Sequence, residues 1–597
     1  MDFATLKAFK PSEFEEAATG YAKTGDMASA AKDSIENEVA AGMRKSLKGE
    51  AADAAHYQLG ELAKDFHYVQ AECGLISTAL RAFASDMRAV KDKLDAAIED
   101  AEAKNFTVGA DGSVSYPVAG EAKGSSQPKA GTATGTTDVT AQAIYQQSAN
   151  FNPNPNFGVA QGIANRIAAA IKEATEVDEK WAPKLRRLKA DDDLTVSDND
   201  WIDVTSDAGA VRDGAKSYLS RIKEPPKGGD PKANADWWAH LSSDQQADYT
   251  AMFPARVGAM NGLPATVRDE ANRIVLDETR ADYRKQLDAI PPEPKRFIDF
   301  RETVRTNNEW AVWDKKYGAK KQHLESTLKG MEAIQKRFDS TGTEGLPEAY
   351  LLGFNPEADG GVVLATGNPD TADHTAVYVP GTKTRLETID KDINRGSKLW
   401  QASHRLAPDA KISTISWFDY DAPDHIFPEA TWDEYAAKGG PTFREFLEGN
   451  RAAHQAATGS HAHTTIIGHS YGSTLIGDAA KSGLHKDGPL LADDVIAAGS
   501  PGMQAKRAAD LGIDPNHMWA EKADNYDDWV VREGGATMGL GDDRVVPTDK
   551  EFGGHVMKSD APDHGGYWNV RDDGEPSVSL KNQARVITGQ YEEVTLE

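Results

Sequence analysis

The sequence predicts a multidomain protein: an N-terminal all-α hairpin or bundle, a helical connector, and a C-terminal α/β domain on a mostly parallel sheet. Three observations carry this. A long apolar stripe with alternating steps of three and four runs through the first hundred residues. Two soft stretches, one rich in Gly, Ser and Thr and one in Pro, Gly and Lys, interrupt the helical pattern. From about Pro347 the rhythm changes to short β-rich runs separated by helical ones. At 597 residues the chain is too long for a single core. The pattern divides it into a helical hairpin (1–107), a low-complexity linker or loop (108–157), a helical part completing the N-terminal bundle (158–222), a helical connector (223–346) and a catalytic α/β domain (347–597).

In the first segment Leu59, Leu62, Phe66, Val69, Cys73, Ile76, Leu80, Phe83, Met87, Val90 and Leu94 form the seam of a long helix laid against another helix. Phe14, Ala18, Tyr21, Ala28, Ile35, Val39 and Met43 form a sparser partner stripe, and Ser46-Leu-Lys-Gly49 offers the turn. So regular a stripe is core and is assigned no chemistry. The one cysteine, Cys73, lies on it and reads as a buried small hydrophobe, so no disulfide framework exists within the chain. Two helices joined at Leu47-Lys48-Gly49, followed by Glu-Ala-Ala-Asp-Ala-Ala, resemble the WXG100 (ESAT-6-like) helical hairpins, with Leu47 where that family has Trp. The resemblance implies a WXG100-like helical partner, or self-association through these helices, and a type VII export signal of the form Tyr-x-x-x-Asp/Glu. The nearby matches are Tyr57/Glu61 and Tyr68/Glu72. The N-terminus lacks the basic-then-apolar pattern of a signal peptide, so the expectation is a cytoplasmic protein or one exported by a non-classical route.

The stretch 108–157 is poor in large apolar residues and reads as a mobile linker or loop, because it buries too little surface to offset its ordering entropy. Helical periodicity returns at Ile163, Ile167 and Ile171. Lys223–Asp236 is a second soft segment, followed by helix from about Val267 to Thr279 and from about Arg301 to Arg337, with Pro291-Pro-Glu-Pro294 between them. No run of about 18 apolar residues exists to span a membrane. The 94 acidic residues against 67 basic ones leave a net charge of −27, which repels phosphate backbones and argues against nucleic acid as a partner.

Strands are predicted at Tyr350–Phe354, Gly361–Thr366, Thr375–Val379, Ile412–Trp417, Thr464–Ile467, Asp494–Ala498, His517–Ala520 and His555–Met557, the first two antiparallel at one edge. Within this pattern a β-branched strand runs into Gly468-His469-Ser470-Tyr471-Gly472 and on into a helix. That is the nucleophile elbow of an α/β-hydrolase-type serine hydrolase. The serine must stand on a sharp turn so that its hydroxyl projects from the sheet. Gly468 and Gly472 carry no side chains where strand and helix come close. The helix N-terminus then turns its free N–H groups toward developing negative charge. His469 reads as shaping the elbow. His461, His463 and His469 do not make a metal site, since His463 and His469 lie at opposite ends of one strand.

A serine nucleophile needs a base and an orienting acid, both following it in this fold with the acid first. The acid candidates are Asp524, Asp527 and Asp528. Among the histidines, His517 precedes them, His555 sits in a strand-like run, and His564 lies in a glycine-containing loop before the last helix. His564 is preferred, with His555 the runner-up. Residues from about Trp237 to Gly589 resemble the DUF1023 α/β-hydrolase family of actinobacteria. The matching stretches are Gly262-Leu-Pro264 with Arg268-Asp-Glu-Ala-Asn-Arg273, Gly367–Asp373, Val379-Pro-Gly-Thr382, Tyr420-Asp-Ala-Pro423, the elbow, Gly499-Ser-Pro-Gly502 and His564-Gly-Gly-Tyr-Trp568. The resemblance implies an acid in an Asp-Pro-Val-like position, which falls on Asp528-Trp-Val530, with Asp527 the runner-up.

The oxyanion hole is expected to combine the backbone N–H of Tyr471 with that of Thr382, or of Gly381, in the loop after the third strand. Pro380 has no N–H to offer. The chemistry expected is ester hydrolysis through Ser470, His564 and Asp528, without metal or organic cofactor, on a small acyl-ester or lipid-like substrate. The stretch Asp421–Thr442, rich in Asp, Pro and aromatics, is the expected lip of the pocket.

Overall fold

The apolar stripes of the N-terminal region become two long antiparallel helices, α1 (Pro11–Ser34) and α2 (Glu50–Glu102). The computed structural model describes residues 1–122, 127–188, 195–227, 229–300, 303–425, 429–485 and 489–597, with the side chains of residues 300, 303, 482–485 and 527 outside that description. A π-helical turn (Ile35–Ala40) and a short helix (Ala41–Ser46) extend α1 to the break at Leu47–Gly49, where Gly49 takes a φ of +105°. Phe14 meets Phe83 at 5.0 Å between ring centroids, and the Ser77 hydroxyl donates to the carbonyl of Ala18. Phe83, Met87, Val90 and Leu94 are buried as the stripe predicts, and so is Cys73. Leu62 is not: the buried face at that level carries Ala63, His67 and Tyr68 instead.

The chain divides into two compact units. One comprises Met1–Ala28, Tyr68–Asp193 and Asp203–Glu224; the other comprises Ser29–His67, Leu194–Ile202 and Pro225–Glu597. In the first unit, the stretch read as a linker or loop carries a three-stranded antiparallel sheet (Thr107–Val108, Val114–Tyr116, Gly131–Ala133) and a helix (Val139–Phe151). Backbone pairing needs few large side chains. Val114, Tyr116 and Ala133 are the buried ones, and helix α3 (Asn156–Arg187) supplies the surface they pack on. Gln161 and Asn165 of α3 bond the backbone of Thr134 and Thr136.

In the second unit the described residues of the connector form helices and one hairpin, Phe297–Phe300 paired with Thr303–Thr306. The helix expected from Arg301 therefore begins later, at Asn308, with Asn307 as its cap and the β-branched residues before it drawn into pairing. Helix α4 (Ala265–Asp288) covers the sheet edge formed by β1 (Ala349–Asn355). Asp269 accepts from the Leu351 N–H at 2.6 Å, Asn272 donates to the Leu351 carbonyl at 2.9 Å, and Arg273 reaches the Ala349 carbonyl at 3.3 Å. Side chains thus satisfy backbone groups that an exposed edge would offer to another chain. This is what the Arg268–Arg273 stretch does here.

The remaining strands are β2 (Gly361–Thr366), β3 (His374–Val379), β4 (Ile412–Phe418), β5 (His463–His469), β6 (Asp494–Ala498), β7 (Met518–Glu521) and β8 (His555–Val556). Their order across the sheet is β8-β7-β6-β5-β3-β4-β2-β1, with β1–β2 and β2–β4 antiparallel and every other neighbour parallel. Alternate residues take opposite faces. Val377, Ile466, Val495 and Ala497 join the core with α6 (Glu434–Thr458) and α7 (Tyr471–His485), while Tyr378, Ile467, Ile496 and Ala498 join that of α5 (Ile389–Leu406) and a last helix, α9 (Val578–Ile587). The C-terminal domain is thus a mostly parallel eight-stranded sheet with helices on both faces. The order reverses around β3, so the loops leaving β3 and β5 emerge side by side at their C-terminal ends, where open sheets of this kind bind ligands. Among the described residues no helix is long and apolar enough to cross a membrane.

Candidate active site

Ser470 sits between the last residue of β5 and the first of α7 with a φ of +52°, a left-handed conformation that non-glycine residues adopt at a cost of about 1–3 kcal/mol. Its N–H donates to the Ala498 carbonyl at 3.0 Å, holding the turn against the end of β6. The flanking glycines are fixed by close approach. A Cβ on Gly468 would lie 2.6 Å from Ser473 Cα, and one on Gly472 only 2.3 Å from the Val379 carbonyl oxygen. The β3 loop closes in from the other side: a Cβ on Gly381 would stand 2.7 Å from Ser470 Cβ and 3.2 Å from the Tyr471 nitrogen. Gly381 is therefore in direct contact with the elbow, with Thr382 next to it and partly exposed.

His564 and Asp528 come together. Nδ1 of His564 donates to Oδ1 of Asp528 at 2.7 Å. Nε2 of the same ring is buried and has no hydrogen-bond partner. The Asp528 side chain is fully buried. Burial alone would raise its pKa, but hydrogen bonds from His564 and Tyr567 outweigh this and hold it below the ordinary carboxylate value. The Tyr567 hydroxyl donates to the same Oδ1 at 2.7 Å, and the Ala523 N–H to Oδ2 at 3.1 Å. Asp528 lies in the first turn of helix α8 (Tyr526–Thr537), capped by Asn525, whose Oδ1 accepts from the Asp528 N–H while its Nδ2 donates to the Pro562 carbonyl.

Two further contacts tie this pair to the elbow. Nε2 of His469 donates to the His564 carbonyl at 2.7 Å. Burial, the Arg395 guanidinium and His564 all push the His469 pKa well down, so it stays a neutral donor. Gly499, with a φ of +58°, leaves the space the pair occupies: a Cβ there would lie 2.8 Å from both Asp528 Oδ1 and His564 Cε1. Gly499 directly follows Ala498, the residue that bonds the Ser470 N–H. The histidine loop is buttressed by Trp568, on whose ring Arg395 stacks at 4.8 Å.

Of the runner-up residues, His555 lies on β8 with its ring stacked on Trp519 at 4.7 Å, whereas the side chain of Asp527 falls outside the described residues. The expected lip, Asp421–Thr442, holds a short turn (Glu429–Thr431) and the first residues of α6; residues 426–428 within it lie outside the described residues. The Tyr471 hydroxyl donates to the Trp432 carbonyl at 2.5 Å, so the residue after the serine is bonded to this stretch. Asp424, His425 and Glu429 bring possible metal-ligand atoms within 4.8 Å of one another. Those carboxylates already have partners: Glu429 accepts from the N–H groups of Asp424 and His425, and Asp424 from Arg385.

Residues 355–537 match a protein-family model described as alpha/beta hydrolase. The match covers the sheet from the end of β1 through the helix of Asp528. Two relatives in Mycobacterium tuberculosis are similar. The uncharacterized protein Rv2079 is 29% identical over 410 residues, which cover 62% of this chain and 57% of that protein. The uncharacterized protein Rv0963c is 28% identical over 183 residues, covering 29% of this chain and 65% of that protein. The chain thus spans less than two thirds of either relative's length.

Tyr567, Gly499 and Asn525 were not singled out individually from the sequence. Tyr567 and Gly499 lie inside two of the glycine-containing stretches quoted from the sequence, His564-Gly-Gly-Tyr-Trp568 and Gly499-Ser-Pro-Gly502. Asn525 carried only the weaker signal of a capping residue three positions before Asp528.

Proposed function

We propose that this protein is a serine hydrolase of carboxylic esters, with Ser470 as nucleophile, His564 as general base and acid, and Asp528 as the orienting carboxylate. The observation that carries this is the His564–Asp528 pair, with its unpartnered Nε2, bonded by His469 to the elbow that holds a strained serine and seated against Gly499 at the end of the next strand. In this reading Nε2 of His564 takes the Ser470 proton as Oγ attacks the ester carbonyl. The oxyanion is held by the N–H groups of Tyr471 and of Thr382 or Gly381. The imidazolium, stabilised by Asp528, then protonates the departing alcohol and leaves an acyl-serine. Water, deprotonated by the same nitrogen, releases the carboxylic acid and restores the serine. The low Asp528 pKa supports this role, since the acid stays ionised while the histidine cycles.

The likeness to the DUF1023 family, and the reading of α1 and α2 as a WXG100-like hairpin borne by a hydrolase whose catalytic domain starts near residue 347, belong to the same proposal. Its test is labelling by a fluorophosphonate probe. The full chain is expected to be labelled and Ser470→Ala not; equal labelling of both would overturn the assignment.

A further inference from the structure

Helix α8 is amphipathic in the wrong direction for a helix that only packs. Its inward face is built from Asp528, Gly535 and Ala536, all buried. Its outward face carries Tyr526, Trp529 and Val530, 74%, 49% and 37% exposed, at positions i, i+3 and i+4. The Tyr526 and Trp529 rings stack at 5.8 Å, forming a flat apolar platform. Helix α8 packs on the Glu429–Thr431 turn, and the next residue, Trp432, is 66% exposed. Exposed apolar side chains scattered singly are ordinary; a stripe continued by a further tryptophan is not.

Two features say what covers it. The patch is continuous with the candidate active site at two points: α8 contributes Asp528, and the Trp432 carbonyl receives the Tyr471 hydroxyl. Its ionisable surroundings are acidic. Asp524, Glu533, Asp433, Asp542 and Asp543 are exposed, against an exposed Arg544 on the Asp542–Arg544 turn that also packs on α8, while Arg532 is turned toward Thr548 and Asp528, Lys438 is paired with Glu434, and Lys522 with Glu597. Such a rim disfavours anionic headgroups. A few half-exposed side chains present on the order of a few hundred Å², short of the ~800 Å² per partner of a stable protein interface but enough for acyl chains.

We propose that the outward stripe of α8, continued by Trp432, is the surface on which acyl chains of an aggregated neutral or zwitterionic lipid ester dock before the ester reaches Ser470. This rests on the serine ester hydrolase reading and narrows its substrate class. The binding arm uses full-length Ser470→Ala protein and flotation with phosphatidylcholine or phosphatidylglycerol vesicles. Flotation is expected with phosphatidylcholine, less with phosphatidylglycerol, and at least tenfold weaker after Tyr526→Ser with Trp529→Ser. Trp529→Leu, which keeps the site apolar, is expected to retain it, with thermal melting confirming that each variant folds. The kinetic arm compares kcat/KM on emulsified tributyrin with that on soluble nitrophenyl acetate; this ratio is expected to fall at least tenfold in the double serine variant. Undiminished flotation, a preference for phosphatidylglycerol, an unchanged ratio, or a dimer in solution that Trp529→Ser dissociates would each overturn the proposal. Absence of all ester turnover in the unmodified chain, with Trp529-dependent flotation intact, would overturn the hydrolase reading while leaving the docking surface standing.

Discussion

Strands β5 and β6 hold a histidine–carboxylate cluster at each end, and the two ends differ in what their side chains are left free to do. At their C-terminal ends, His469 of the elbow bonds the His564 carbonyl, and Gly499 lies against the His564–Asp528 pair. At their N-terminal ends, His463 and Asp494 meet His517, Trp519 and Tyr591. The second cluster is the richer in bonds: Asp494 accepts from His517 and Trp519 on one oxygen, and from Tyr591 and His463 on the other, all within 3.0 Å. Judged by hydrogen bonds it would rank as the better-built site. It has no strained serine, and His463 has both ring nitrogens engaged, Nδ1 with the Ile587 carbonyl and Nε2 with Tyr591 and Asp494. A histidine–aspartate pair is therefore weak evidence for chemistry. A serine on a left-handed turn, in an elbow bonded to the loop of a histidine whose Nε2 has no partner, is what separates the two ends.

Removing each acid tests the comparison most directly. Asp528→Asn is expected to lower kcat about 10⁴-fold on a soluble nitrophenyl ester, by leaving the wrong imidazole tautomer, with little change in melting temperature. Asp494→Ala is expected to do the reverse. It strips a buried network of its centre and should cost about 3–5 kcal/mol in denaturant unfolding, with kcat within a factor of two well below the melting point. Should Asp494→Ala abolish turnover in folded protein while Asp528→Asn spares it, the two ends have been read the wrong way round.

Gly499 sharpens the comparison, because it touches the C-terminal pair without taking part in chemistry. Gly499→Ala places a methyl group 2.8 Å from Asp528 Oδ1 and His564 Cε1 at a positive φ. A displacement of the pair by a fraction of an ångström is expected to reduce kcat by roughly 10²-fold, with KM moved less. Steady-state kinetics of that single variant check it.

Much of this was legible in the chain, and the limits have physical causes. The eight strands follow from β-branched and apolar runs, and the elbow from strand, Gly-x-Ser-x-Gly and helix in immediate succession; both signals are local. The part Gly499 plays is not, since its need for a missing side chain arises from residues 29 and 65 positions later in the sequence. The Asp494 cluster is hidden for the same reason, being gathered from three strand ends and the C-terminal segment. His517 could be set aside as a base from chain order, but nothing local showed it bonded to Asp494. The small sheet at 107–133 escaped because its stability comes from α3 rather than from its own composition. The Asp269, Asn272 and Arg273 side chains were visible as a motif, yet their work on the β1 backbone was not.

Acidity shows how the N-terminal cluster is held. Burial alone would lower the His463 pKa, but bonding to Asp494 outweighs this and raises it; burial would raise that of Asp494, and its four donors lower it instead. Stability from the raised histidine is fully present below its unfolded value of 6.5 and is lost as pH climbs through the folded one. Stability from the lowered carboxylate is present above 3.8 and is lost as pH falls through its folded value. The N-terminal cluster is thus expected to contribute most between these two limits. In His463→Gln, the decline of denaturant stability on raising the pH from 6.5 should flatten relative to the unmodified chain. A slope identical in both would mean that the cluster is held by its neutral hydrogen bonds alone.

The smallest effect expected belongs to Asn525, and it probes how the C-terminal end is held together. Its side chain caps α8 through the Asp528 N–H at 2.7 Å and reaches the Pro562 carbonyl at 2.8 Å, two residues before His564. One residue therefore joins the helix of Asp528 to the loop of His564. Loss of a helix cap costs about 1 kcal/mol. Asn525→Ala is expected to show that loss in denaturant melts, together with a several-fold fall in kcat because both partners of the pair become less well placed. Asn525→Asp keeps the cap and removes the donor to Pro562. It should restore the helix term but only part of the kcat, and full recovery of kcat would show that the link to Pro562 plays no part in positioning His564.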